Sequence, residues 1–165
     1  QHVIHRRQRQ MCIRDRDQAA DKLRTGNTGD NPFKKKEVRQ ALYQAIDIEA
    51  IKKKVMRGLS EPAGIITFPG VNGYTKELDA RLPYDVDAAK KLLADAGYPN
   101  GFDVELRCPN DRYVNDEAIC TAVVGMLGKI GVNVSLFAQT KSKHFKELKD
   151  NQGCLLYTSP SPRDP

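Results

Sequence analysis

Two short alternating stretches separated by one apolar helical stretch constrain this chain more than any other feature. GFDVELRC sets Phe102, Val104, Leu106 and Cys108 against Asp103, Glu105 and Arg107, the pattern of a strand with one buried face. Val132, Val134 and Leu136 repeat the alternation. Between them Ile119, Ala122, Val123, Met126, Leu127 and Ile130 recur at helical spacing; Asn115 is placed to cap, Asp116 and Glu117 lie in the favourable first turn, and Gly131 ends the helix. Strand, helix and strand within about 35 residues make a βαβ unit, because a crossover of this length joins parallel neighbours. The expected fold class is therefore α/β. Strands near 103–108 and 132–138 should pair in parallel, with a helix over about 115–130 packed on one sheet face through Ile119, Val123, Met126 and Ile130.

Upstream the period is helical. In EVRQALYQAIDIEAIKKKVMRG, Val38, Ala41, Leu42, Ala45 and Ile46 form a stripe; Asp47 then caps a second helix carrying Ile48, Ile51 and Val55, closed by Gly58. Gly and Pro recur from Leu59 to Pro83, which predicts an irregular excursion with at most short strands, too long for a plain connector. YDVDAAKKLLADAGYP predicts a helix capped by Asp85, lined by Ala89, Leu92, Leu93 and Ala96 and stopped by Gly97 and Pro99. SKHFKELKD predicts a last helix.

The two ends of the chain have no such pattern. HRRQRQMCIRDR, residues 5–16, is basic without an apolar period, and CLLYTSPSPRD, residues 154–164, follows a finished polar helix. Read back into codons, Arg6–Asp15 and Cys154–Asp164 resemble the two opposite-end adaptors of transposase-based sequencing. Residues 1–16 and 154–165 are therefore expected to be adaptor-derived, disordered and without contacts to the body, which leaves 17–153, the length of one domain or part of one. A basic nucleic-acid arm is the competing reading of the head. It weakens with the charge count: without Arg6, Arg7, Arg9, Arg14, Arg16, Asp15, Arg163 and Asp164, 21 basic and 19 acidic residues remain. The formal net charge drops from +6 to +2. No nucleic-acid partner is expected. No apolar run reaches the ~18 residues a membrane-spanning helix needs.

Candidate site residues follow from the βαβ reading, since ligands of open α/β sheets sit beyond the carboxyl ends of the strands. The loop after the first strand is rich in side chains that hydrogen-bond or stack: Asn110, Asp111, Arg112, Tyr113 and Asn115. Arg112 suits a carboxylate, Tyr113 offers an aromatic wall, and the following helix N-terminus favours an anionic or polar group. Turn formation and capping compete for Asn110, Asp111 and Asn115, and a solvated or salt-bridged role competes for Arg112. Tyr74 either lines a cleft or packs under the long loop. His144 has no His, Cys or carboxylate at metal spacing and reads as a surface residue, so no metal and no cofactor is expected. Cys108 and Cys120 lie twelve apart, and a disulfide and two ordinary buried thiols both fit. GxSxG, Walker-type and HExxH motifs are absent, and Asp85 and Asp87 belong to a helix start, so no catalytic residue is assigned.

NPFKKKEVRQALYQAIDIEAIKKKVMRGLS, DVDAAKKLLADAGYPNGFDVEL and MLGKIGVNVSL, in this order and spacing, resemble the family 5 extracytoplasmic solute-binding proteins of peptide-type ABC transporters. The resemblance covers nearly all of 17–153. It implies an internal fragment of the second lobe of a two-lobed, type II periplasmic-binding-protein fold, which captures a peptide or similar small solute and delivers it to ABC permease subunits. It also implies a periplasmic or extracytoplasmic location, free or membrane-anchored, and it places the first lobe and an acidic, amino-group-pairing residue outside this stretch. The alternatives are a solute-sensing lobe of a transcriptional regulator, which needs an upstream helix-turn-helix, and a hydrolase-like enzyme domain.

Overall fold

The computed structural model describes residues 31–64 and 69–149. The expectations for residues 1–16 and 154–165 lie outside the described residues.

A 3-10 turn, Pro32–Lys34, opens the described chain; the Asn31 side chain accepts the Phe33 N–H at 3.0 Å. Helix α1, Lys36–Gln44, follows, and its 3-and-4 stripe is buried as expected: Val38, Ala41, Leu42 and the adjoining Ala45 are fully covered. Buried Arg39 donates to the Phe33 and Lys34 carbonyls at 2.8 and 3.1 Å, which locks the turn onto the helix. Asp47 caps α2, Ile48–Ala50, through the Ala50 N–H at 2.9 Å. The segment then widens into a π-helical turn, Ile51–Val55, before Gly58 at φ +80° ends it.

The Gly/Pro-rich excursion contains no strand among its described residues. Asp79 gathers it, accepting from the Gly64 N–H at 2.7 Å and the Tyr74 hydroxyl at 3.1 Å. Gly64 is required there, since a Cβ would lie 2.5 Å from the Asp79 carbonyl oxygen. Tyr74 thus takes the loop-packing role of its two readings. Arg81 ties the excursion to itself by donating to the Ala63 carbonyl at 2.8 Å and to α1 by placing its guanidinium over the Tyr43 ring.

Helix α3, Val86–Asp95, is capped by Asp85 through the Ala88 N–H at 2.9 Å and packs on α1 through Ala89, Leu93 and the adjoining Ala96. Alanine at four of the facing positions, 41, 45, 89 and 96, keeps this interface thin. Phe33, Tyr98 and Phe102 meet edge to face beneath it, with centroids 6.1 and 5.4 Å apart, and join the helices to the sheet.

Strands β1, Asp103–Pro109, and β2, Asn133–Gln139, pair in parallel, from Asp103 opposite Asn133 to Pro109 opposite Gln139. The βαβ reading holds. Gly101 permits the pairing to start, because a Cβ there would lie 1.8 Å from the Gly131 carbonyl oxygen. Helix α4, Asp116–Gly128, crosses between the strands and packs on both. Its inward face differs from the expected one. Leu127 is fully buried and Cys120, Val123 and Val124 pack against the core, whereas Ile119 and Met126 stay half-buried and outside that cluster. The helix is apolar over most of its circumference, so period alone did not fix which side faces the sheet. Ile130 is buried, beyond the helix end. Helix α5, Lys141–Lys149, packs on β1 and buries His144, correcting its surface assignment; its ring meets Phe145 edge on at 5.5 Å.

Candidate functional site

The parallel pairing brings the carboxyl ends of β1 and β2 side by side, and the loop Asn110–Asn115 leaves from that edge. Its first residue continues the ladder: the Asn110 N–H donates to the Gln139 carbonyl at 2.9 Å. Asp111 then reaches across to the next segment and accepts the Lys141 N–H, which caps α5 with a side chain from the β1 loop. Both strand exits are thereby tied together.

The other half of the loop is organised by Asp116. One carboxylate oxygen accepts the Arg112 and Tyr113 N–H groups at 3.0 and 3.1 Å, and the other accepts the Glu117 N–H at 2.9 Å. Burial works to raise this carboxyl, but the N–H groups of Tyr113, Arg112 and Glu117 outweigh it and hold the group below the usual carboxylate range. One helix N–H at the α4 N-terminus, that of Glu117, is thus satisfied by a carboxylate of the chain itself. The capping role expected of Asn115 is corrected. The residue sits at the N-cap with φ +58° and makes no side-chain cap, and its amide instead donates to the Val55 carbonyl at 3.0 Å. That bond fastens the loop to the π-helical turn sixty residues earlier.

With Asp111 and Asn115 committed to internal bonds, the outward groups are Asn110, Arg112 and Tyr113, all exposed, Tyr113 by 63 %. The Arg112 guanidinium lies 5.4 Å from the Tyr113 ring centroid and 6.0 Å from that of Phe145. These cation–π contacts hold the guanidinium beside two rings, and its N–H donors are of the kind that grips a carboxylate. Asp111, Asp116 and Phe145 were not singled out in these roles from the sequence. Phe145 carried no signal, since it comes from a helix thirty residues downstream. Among the described residues no group of three His, Cys, Asp or Glu is placed to hold a metal ion. Beneath the loop, Cys108 ends the buried face of β1 and Cys120 stands on α4; both are free thiols.

The model of the bacterial extracellular solute-binding proteins, family 5 Middle, matches residues 22–159. The chain belongs to this family. It is 33 % identical over 132 residues to a heme-binding protein A of Haemophilus influenzae, covering 76 % of this chain and 23 % of that one. It is 30 % identical over 129 residues to a dipeptide-binding protein of Escherichia coli, covering 76 % and 24 %. Among solved structures, the periplasmic binding protein AgaA of A.tumefacien R10 in complex with agropinic acid is similar at a TM-score of 0.65. Its identity is 35 %, and the match covers 73 % of this chain and 25 % of that one. The family 5 chain thus spans about a quarter of its relatives' length, and its α/β fold is part of the type II periplasmic-binding-protein fold. No helix among the described residues is long and apolar enough to cross a membrane.

Proposed function

We propose that the protein to which this stretch belongs is the extracytoplasmic solute-binding component of an ABC importer, that it captures a peptide or similar small solute, and that it hands this solute to permease subunits. Membership of family 5, whose description is of extracellular solute-binding proteins, carries the class. The relatives, among them a heme-binding protein, a dipeptide-binding protein and one bound to agropinic acid, differ in solute, which leaves its identity to the residues that line the cleft. The reading is of capture rather than catalysis.

Within that reading, the loop Asn110–Asn115 borders the solute cleft. The supporting observation is the exposed pair Arg112 and Tyr113 at the paired carboxyl ends of two parallel strands, held on a frame made by Asp111, Asn115 and Asp116. Arg112 receives a carboxylate of the solute and Tyr113 packs on its apolar part, while Asn110 adds a neutral hydrogen bond. Closure of another lobe over this edge then buries the solute by hinge motion.

Calorimetry with a peptide library on the full-length protein tests the proposal, with wild type set beside Arg112→Ala and Tyr113→Ala. Each truncation is expected to weaken the best solute roughly tenfold or more, the size of one lost charge-assisted hydrogen bond or aromatic contact. Unchanged affinity in both variants would reduce the loop to a solvated turn. Failure of every library member to bind would reject the peptide-like solute itself.

A further inference from the structure

Cys108 and Cys120 stand on two elements that pack together, β1 and α4. Cys108 lies on the core face of β1, in register with Ala138, and Cys120 is in the second turn of α4 with its side chain packed on the same core. α4 packs on β1, and each thiol is felt in the electrostatics of the other. Their intervening residues 109–119 contain the whole loop Asn110–Asn115 and its organiser Asp116. We infer that Cys108 and Cys120 form a disulfide in an oxidising environment, and that this bond closes a covalent ring around the base of the loop. The inference does not depend on the loop binding a solute.

The chemistry requires an external disulfide as oxidant. Cys120, half-buried where Cys108 is 4 % exposed, is the sulfur such a reagent reaches first. Its thiolate attacks one sulfur of the oxidant and expels one thiolate. Cys108 then gives up its proton and attacks the Cys120 sulfur of the mixed disulfide, expelling the second thiolate. Two protein S–H bonds are lost, one protein S–S bond forms, and the oxidant is reduced to two thiols. Burial raises both thiols above the ordinary cysteine value, and for Cys120 the neighbouring Cys108 raises it further. The first step is therefore slow at neutral pH and quickens as pH rises. Once closed, the bond lies in the buried seam between β1 and α4, shielded from reductant.

Tryptic mapping of the full chain, after equilibration in an oxidised/reduced glutathione mixture and alkylation, reads the linkage directly. Cleavage after Arg107, Arg112 and Lys129 releases Cys108 in CPNDR and Cys120 in YVNDEAICTAVVGMLGK, two peptides that only this disulfide joins. The expected result is recovery of most Cys108 and Cys120 as that linked pair, its disappearance on reduction, and its absence from Cys108→Ser, where Cys120 is found alkylated or joined to glutathione. Separate alkylated or glutathione-bearing peptides in the wild-type chain would overturn the inference. So would predominant linkage of either residue to Cys12 or Cys154.

Discussion

The α1–α3 layer is built from helices with one apolar and one charged face, the α4 side from a helix apolar over most of its circumference, and the two are differently buried. On α1 and α3, Val38, Ala41, Leu42, Ala45 and Ala89 are fully covered, Leu93 is covered to within 1 %, and the opposite faces are charged. On α4 only Leu127 reaches full burial, while Ile119, Ala122 and Met126 stay half-buried around it. Next to them Tyr113, Val114 and Phe145 are open to solvent. The first region is a closed interface whose energy is in packing. The second is a frame of polar bonds under an open apolar edge, which suits a surface that another body covers.

Truncating one residue on each side measures that difference. Leu42→Ala removes a fully buried side chain from between α1 and α3 and is expected to cost about 3 kcal/mol of unfolding free energy, by denaturant titration. Ile119→Ala, on the half-buried face of α4, is expected to cost about 1 kcal/mol or less. Equal losses would mean that α4 is as tightly packed as α1, and the contrast between the regions would collapse.

The same contrast decides what could be read from the sequence. Where one face is apolar and the other charged, as in α1 and α3, period pointed to the buried side, and Asp47 and Asp85 cap α2 and α3 as expected. The parallel pairing was legible because alternation flanked a helix of crossover length. In α4 the apolar circumference concealed the facing side, and Ile119 and Met126 were expected in the core where Leu127 and Cys120 pack. The loop carries no period at all. Its residues could be named as polar, but the bonds from Asp111 to Lys141 and from Asn115 to Val55 join segments far apart in the chain. Composition at one end does not reveal them.

The polar frame yields to a pH scan. Asp116→Ala leaves the N–H groups of Arg112, Tyr113 and Glu117 without their acceptor and is expected to cost about 1 to 2 kcal/mol at neutral pH. Because the fold lowers the Asp116 carboxyl, its contribution is complete above the unfolded value of about 3.9 and is lost as pH falls through the lower folded value. The difference between wild type and Asp116→Asn should therefore shrink below about pH 4 and stay constant from there to neutrality. A gap that widens on acidification would show that the carboxylate is not what the three N–H groups hold. Leu42→Ala should leave the shape of the pH profile unchanged, which separates the two regions by a second measurement.

The smallest expected effect distinguishes backbone conformation from contact at a single residue. Asn115 has φ +58°, a left-handed conformation that asparagine tolerates better than most residues and glycine adopts freely, and its amide also reaches the Val55 carbonyl. Asn115→Ala loses both the conformational tolerance and the bond, and should cost about 1 kcal/mol. Asn115→Gly loses only the bond while easing the left-handed turn, so its cost should be a few tenths of a kcal/mol at most. If glycine is as damaging as alanine, the bond to Val55 dominates, and α2's π-helical turn is then a structural support of the loop. If glycine is neutral or stabilising, the left-handed turn is what Asn115 supplies, and the loop keeps its shape through Asp111 and Asp116 alone. In the first case the loop is coupled to the segment before the Gly/Pro-rich excursion, so a displacement there is transmitted to Arg112 and Tyr113. In the second it moves only with the strand ends from which it leaves.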